Sequence, residues 1–503
     1  MSSSSELAPN LKNSQENTDK KLALKNKGVK VIPLLMIFAA GIAAWFMKPG
    51  AIEVNQWHTL IVFLGTIVGI VANVMPIGSV GILGITMFAL TRAAGAETSK
   101  EAVMDALSGL DSYLIWMVVV AFFIAKGFVK TGFGKRIALL MVKFFGKRTL
   151  GLVYGLSIAD IILAPATPSN TARCGGVIYP IANSLAKSFD SHPDDEKSRK
   201  KIGHYLITSI GNVNDITATL FITAYAANPL VVKLAAPFGV ELTWGGWFMA
   251  ALMPALVALI IVPIVLYFIM KPEIKVTPEA KEFAEKELSK MGKISRDELI
   301  MLFTFLGLLT LWVFGKKLGI HSTTAALVGL STLLVSSVLS WDDVKGDASA
   351  WNTLVWFSAL LMMANFLNTL GFTKWFGNVI GNQLSFMTNV NWVITLVVLN
   401  AIFIYIHYFF ASGTAQVAAL YSVFLGVGIK LGIPAYPLVL LLGFSGSLYC
   451  SLTQYSHARG PILFGSGYVT TKEWWTAGFI VNLVNQVIYV VVGLIWWKII
   501  GLY

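Results

Sequence analysis

The chain has 503 residues, of which 56% are hydrophobic and 13% charged, with a formal net charge of +12. Ordinary soluble domains carry about 25% charged residues, so this composition excludes a soluble globular fold and indicates a polytopic membrane protein. The basic excess is not a nucleic-acid footprint: with the N-terminus placed inside, 28 of the 38 Lys and Arg fall on the inner side and 9 on the outer, the bias that orients membrane helices.

Residues 1–30 are polar, with no apolar core of signal-peptide type, and read as a disordered cytoplasmic tail. Apolar runs of about 18 residues mark candidate spans. They predict eleven crossings, at 31–47, 57–75, 77–91, 113–129, 204–227, 246–270, 297–314, 322–340, 352–370, 437–456 and 476–499, which leaves the C-terminus outside. Two further stretches, near 150–186 and near 391–429, are apolar but interrupted, and read as re-entrant helical hairpins. The predicted fold is therefore all-α. It divides into the tail, a first half over 31–270, a charged segment over 271–296, and a second half over 297–503. The charged segment has the spacing of an amphipathic surface helix on the cytoplasmic side; a plain solvated linker is the alternative.

The two halves share motifs. Trp116 in LIWMVVVAFF matches Trp356 in LVWFSALLMM at an offset of 240 residues, and Ser169-Asn170-Thr171 matches Ser412-Gly413-Thr414 at an offset of 243. TAYAANP (223–229) resembles TQYSHARGP (453–461). Span 113–129 is expected to run outward to inward and span 352–370 the other way, so the copies are inverted. Inverted repeats with paired interruptions are the mark of secondary transporters, with the site near the midplane.

The stretch PATPSNTARC (165–174) sets two prolines, a Ser-Asn-Thr run and an arginine between the arms of the first hairpin. Backbone polar groups cannot stay unpaired in hydrocarbon, so such a tip must be buried in protein or face a wet cavity. Pro165 and Pro168 end the first arm, and Ser169, Asn170 and Thr171 are residue types that cap a second. Freed N–H groups and the helix dipole at that N-terminus make an anion site. FFASGTAQVAAL (409–420) repeats the device. Ser412, Gly413 and Thr414 interrupt an apolar run, Thr414 is placed to open the next half-helix, and Gly413 lets a ligand approach the backbone.

The spans that follow are also expected to be broken. The first has Gly211, Asn212, Asn214, Asp215, Thr217 and Thr219 in mid-span; the second has Gly443, Ser445, Gly446, Ser447, Ser451 and Thr453. Four converging N-termini, each worth about +0.5 of a charge, give roughly +2. That balances a dianion without a dedicated pair of arginines, and formal charge in the core reads as little beyond Asp160, Arg173 and Asp215. One Ser/Thr/Gly cluster in a membrane helix commonly means close helix packing, but two at matched positions beside helix breaks point to a ligand.

Several residues keep two readings. Asp215 is either a cation ligand, since acids in a membrane are functional by default, or an internal hydrogen-bond partner. Asp160 pairs with Arg173 or stands apart; Arg173 lines an access path or reaches to a lipid or carboxylate. His407 is a hydrogen-bonded core residue or a proton carrier. His457 and Arg459 are placed at a span end, at the inner mouth, and Trp474 and Trp475 as interfacial anchors. Cys174 and Cys450 read as small packed residues, and no metal site or disulfide framework is indicated.

On these motifs the chain resembles the divalent anion:sodium symporter family, also called DASS or INDY, over residues 31–503. TPSNTAR (167–173) is similar to the first Ser-Asn-Thr signature of that family. SGTAQVAALY (412–421) and GSGYVTTKEWW (465–475) are closer to its branch of bacterial citrate/succinate and tartrate/succinate antiporters and plastid 2-oxoglutarate/malate translocators. The resemblance implies a homodimer in the cell membrane, scaffold and transport domains, an elevator mechanism, and substrate carboxylates held by Ser169, Asn170 and Thr171 with Ser412, Gly413 and Thr414. Gly211, Asn212, Asn214, Asp215, Ser445, Gly446, Ser447 and Thr453 are the candidate supporting residues. Sodium-coupled members carry asparagine where Gly413 stands and a Pro-Pro-Asn-like turn where this chain has YSHARGP. The expectation is exchange of dicarboxylates of the 2-oxoglutarate, succinate, malate or citrate type, with no cofactor or metal; the alternative is a sodium-coupled dicarboxylate symporter. Two other classes fit less well. An intramembrane hydrolase would need Ser169 or Ser412 with His407, and the chain has no G-x-S-x-G elbow or H-E-x-x-H. A channel would not need anion tips at matched depth.

Overall fold

The computed structural model describes residues 29–50, 52–383, 390–410 and 412–503, so nearly all of the expected tail lies outside the described residues. The protein is an all-α polytopic membrane fold, with no strand among the described residues. Among the described residues eight helices are long and apolar enough to cross a membrane, and four shorter ones, Val31–Phe46, Ile77–Thr91, Ser322–Val335 and Ala435–Leu448, are apolar as well. Two of the eight are first arms of the hairpins, Thr149–Ala166 and Trp392–Phe409. Gly203–Leu220 has the length of a span but is too polar to register as one.

Contacts divide the chain into two units that cut across the sequence halves. One runs to residue 111 and includes 352–372; the other comprises 112–351 and 373–503. In the first unit, small residues bring helices close, as membrane packing without a hydrophobic drive requires. A Cβ at Gly81 would lie 2.8 Å from Trp356 Cα, and one at Gly109 would overlap the backbone of Ser358.

The second unit holds both hairpins and both broken spans. The first hairpin rises as Thr149–Leu163, turns through Ala164–Ala166, and returns as Asn170–Arg173, a π-turn over Cys174–Ile178, and Tyr179–Ser188. The second has arms Trp392–Tyr405 and Gly413–Lys430. Both fall within a few residues of the sequence expectation, because Pro165, Pro168, Ser169 and Ser412 mark local events.

The breaks lie elsewhere than expected. Gly203–Leu220 is an uninterrupted helix, and all 18 of its residues are buried. Its mid-span polar groups do not open the backbone because they bond inside it or to neighbours: Thr208 Oγ1 donates to the His204 carbonyl (2.8 Å) and Asn212 Nδ2 to that of Thr208 (2.9 Å). The break follows at Phe221–Ala226, before Ala227–Ala235, with Pro229 in the first turn where its missing N–H costs nothing. Likewise Gly443, Ser445, Gly446 and Ser447 lie inside Ala435–Leu448, and the chain leaves the helix over 449–459 before Gly460–Phe464. Thr414 does not open the second arm of its hairpin; Ser412 caps it, and Thr414 sits in its first turn.

Gly203–Leu220 packs against Trp244–Met270, which in turn lies along Thr471–Ile499. The charged connector contains the helix Glu279–Met291, with Ala280 and Ala284 buried. It lies on a second amphipathic helix, Phe133–Phe145, joined by Lys135–Glu287 (3.0 Å) and Lys143–Glu285 (3.1 Å). Trp474 is buried, edge-on to Phe464, rather than interfacial; Trp475 is exposed and donates to Gln454 Oε1.

Gly478 lets Thr471–Ile499 pass directly over the second break: a Cβ there would meet the Ser451 carbonyl and lie 3.2 Å from Leu452 Cα. Gly478→Ala should therefore cost about 1–3 kcal/mol by overpacking. Gly245→Ala, where a Cβ meets nothing within 4 Å, should be neutral or stabilising by less than about 1 kcal/mol. Melting temperatures of the two variants in detergent check the contrast.

Candidate functional site

Each hairpin tip is a helix start with its own cap. Ser169, in an extended conformation, accepts from the Ala172 N–H at 3.0 Å; Ser412, also extended, accepts from the Ala415 N–H at 3.3 Å. Both seryl oxygens do what N-cap oxygens do, and the remaining first-turn N–H groups point from the tips. Asn170 is buried at 2% exposure and its Nδ2 has no partner. An unsatisfied buried donor costs about 1–3 kcal/mol, so this amide is poised for an acceptor.

The two tips meet through Tyr225, which the sequence reading did not single out, and His457, which it placed at the inner mouth. Thr171 Oγ1 lies 3.4 Å from His457 Nδ1, in the second break. Thr414 Oγ1 donates to the Tyr225 hydroxyl, in the first break, at 3.3 Å. The Tyr225 and His457 rings lie 5.8 Å apart, tilted at 53° to each other. The contacts are crossed: the tip from the first half touches the break of the second, and the reverse. Tyr225 precedes Pro229 by four residues and His457 precedes Pro461 by four; that shared spacing is the signal that could have found them.

Behind the tips lies a buried ionic network. Arg173 Nε donates to Asp160 Oδ1 at 2.8 Å, and its NH1 donates to the carbonyls of Thr167 (2.8 Å) and Ala224 (3.1 Å). One guanidinium thus ties the first tip to the first break. Arg459 pairs with Asp215 and donates to Ser451 Oγ at 3.0 Å. Asn214 joins the two pairs: its Nδ2 donates to Asp160 Oδ2 at 3.0 Å, and its Oδ1 accepts from Arg459 NH1 at 2.8 Å. Thr217 donates to Asp160. Asp160, Arg173, Asn214, Asp215 and Arg459 are each no more than 2% exposed.

These contacts decide between the open readings. Arg173 neither lines a path nor reaches lipid; it is locked on Asp160. Asp215 is held by Arg459, Ser451 and, through its carbonyl, by Ser447 Oγ at 2.9 Å. Arg459 is not at a mouth, because the HARGP segment turns inward as part of the break, so the core holds a fourth formal charge. Among the described residues no group of His, Cys, Asp and Glu is arranged to hold a metal ion.

The remaining candidates are packing and turn residues. A Cβ at Gly211 would meet Leu463 at 2.9 Å. Asn212 bonds back to its own helix. Ser445 donates to Asn400 Oδ1 at 2.8 Å, and Thr453 is paired with Ser456 in the turn of the break. Gly446 offers its carbonyl 3.1 Å from where a Gly413 Cβ would be.

His407 Nδ1 pairs with Gln416 Oε1 at 2.6 Å, its ring stacks on Tyr449 at 3.9 Å, and Tyr449 donates to the Gly413 carbonyl at 3.0 Å. It braces the second tip as a core histidine. Ser169 and Ser412 are engaged as caps.

The dipole arithmetic also changes. Gly460–Phe464 is only five residues long, too short to carry a full terminal charge. The two hairpin arms and Ala227–Ala235 leave roughly +1 to +1.5.

Residues 28–503 match the family described as "Sodium:sulfate symporter transmembrane region". The "Putative malate transporter YflS" of Bacillus subtilis (strain 168) is 44% identical, over 95% of this chain and 98% of its own length. "Dicarboxylate transporter 2, chloroplastic" of Spinacia oleracea is 41% identical, over 95% of this chain and 84% of its own. "Dicarboxylate transporter 1, chloroplastic" of Arabidopsis thaliana is 38% identical, also over 95% and 84%. Two solved structures share the fold: the Alcanivorax borkumensis YdaH transporter, with a TM-score of 0.53 at 13% identity over 77% of this chain and 85% of that one, and Neisseria gonorrhoeae MtrF, with 0.53 at 11% identity over 90% and 95%.

Removing one partner of a buried ion pair strands the other charge. Asp215→Asn should therefore destabilise by about 3–5 kcal/mol, and the paired apolar exchange D215L/R459M should recover much of that loss. Thermal melting of the purified single and double variants reads the difference.

Proposed function

We propose a function from one premise: the chain belongs to the sodium:sulfate symporter transmembrane family. The protein carries dicarboxylates, of the malate, succinate, 2-oxoglutarate or citrate type, across a membrane, and it does so by exchange. The names of its relatives support the substrate class. The observation that carries the reading is the meeting of two N-capped tips, Ser169-Asn170-Thr171 and Ser412-Gly413-Thr414, through Tyr225 and His457. A diacid has two anionic ends, and two capped helix starts linked through Tyr225 and His457 offer one to each.

Exchange follows from where charge is and is not compensated. Arg173 and Arg459 already neutralise Asp160 and Asp215, so the core has no surplus carboxylate for a cation to balance. The tips hold unused donors, including the Asn170 amide. An empty site carried through a low-dielectric barrier bears the cost of those donors unpaired, whereas a loaded site does not. The substrate is thus the group that permits the return step. We assign the stroke to an elevator motion of a homodimer in the cell membrane, with the N-terminus cytoplasmic and the C-terminus outside; the family resemblance supports these assignments.

Counterflow in proteoliposomes tests the reading. Uptake of labelled malate should require unlabelled dicarboxylate inside and be indifferent to sodium. Uptake into empty vesicles driven by a sodium gradient would establish the symport alternative instead. Ser169→Leu and Thr414→Leu should abolish counterflow while membrane insertion stays at the wild-type level, scored by surface yield and size-exclusion profile; transport by either variant at the wild-type rate would remove the tips from the mechanism.

A further inference from the structure

The two tips are unequal at their middle residue. The first has Asn170, with a buried and unpaired amide. The second has Gly413, which has no side chain, yet the space is not empty. A Cβ built there would lie 2.5 Å from the Tyr225 hydroxyl, 3.0 Å from Cys450 Sγ and 3.1 Å from the Gly446 carbonyl. Glycine is required at this place because a phenol from the other half of the chain occupies it.

That hydroxyl also has a proton to give. Thr414 donates to it at 3.3 Å, which uses a lone pair and leaves the O–H free. Its nearest acceptor is Cys450 Sγ at 3.8 Å, and sulfur is a weak acceptor. Tyr225 is 2% exposed, so water does not readily take the proton either. At the matching position before the other break, His457 receives the Arg459 N–H on Nδ1 at 3.3 Å, so it does not reproduce the arrangement.

We propose that Tyr225 is a substrate-binding and specificity-determining residue: its hydroxyl supplies, across the two halves, the donor that Gly413 does not carry, and hydrogen-bonds one carboxylate of the diacid while Asn170 serves the other. The assignment rests on the dicarboxylate reading above. The hydroxyl and the missing side chain are one design feature, so they should exchange for each other.

The test uses the full chain in proteoliposomes, with unliganded melting temperature measured in parallel. Tyr225→Phe removes the donor and keeps the ring. It should raise the apparent KM for malate by about ten- to a hundredfold, the scale of one hydrogen bond to a charged group, with the unliganded melting temperature unchanged. Gly413→Asn alone should lose uptake by clash. G413N/Y225F, which replaces a hydroxyl by an amide, should regain part of it, whereas G413A/Y225F, which fills the space without a donor, should not. If Y225F itself melts early, 3-fluorotyrosine at position 225 gives the answer without altering shape. A more acidic phenol is a better donor, and KM should fall. A wild-type KM in Y225F, or no response to fluorination, overturns the assignment. Wild-type protein that moves no dicarboxylate overturns the substrate reading instead; the Y225F to wild-type ratio is then taken with sulfate, also a dianion, and decides Tyr225 separately.

Discussion

An amide N–H that faces hydrocarbon with nothing to donate to is a liability of several kcal/mol. A membrane chain that interrupts its helices must answer for every group it frees. This chain interrupts four of them in one unit, twice at hairpin tips and twice after Leu220 and Leu448. The answers differ by place. Ser169 and Ser412 satisfy part of each tip from within. Arg173 collects carbonyls from both a tip and a break. The Asn170 amide at the first tip is left without a partner, and the function proposed above gives that donor to the substrate.

The ionic network makes this concentration possible. Four charged side chains sit at near-zero exposure, a heavy desolvation load in any medium. Asn214 welds them into one neutral block by donating to Asp160 while accepting from Arg459. Pairing inside the block leaves no net formal charge on these four side chains. The block is seated on Gly203–Leu220, buried on every side, which gives the tips a rigid floor.

Much of this was legible in the sequence, for a physical reason. Proline, serine and glycine at 165–171 and 412–414 alter the backbone locally, so the hairpin limits and the cap at Ser169 could be read from neighbours in the chain. The interruptions beyond Leu220 and Leu448 could not be read the same way. Asn212 and Thr208 look like breakers, yet their side chains are satisfied along their own helix, and only the fold decides which polar residue finds such a partner. Arg459 and Tyr225 were opaque for a related reason. Each acts on residues more than 180 positions away, a distance over which local pattern carries no signal. The spacing that Tyr225 and His457 share before Pro229 and Pro461 was visible but had no meaning until the crossed contacts gave it one.

The crossing itself has a consequence. One tip touches an imidazole and the other a phenol, so the two tips are chemically unlike. On the function proposed above, succinate presents two like ends to this pair, whereas malate and 2-oxoglutarate present unlike ones, so the same asymmetry would tell the ends of a molecule apart as well as one molecule from another.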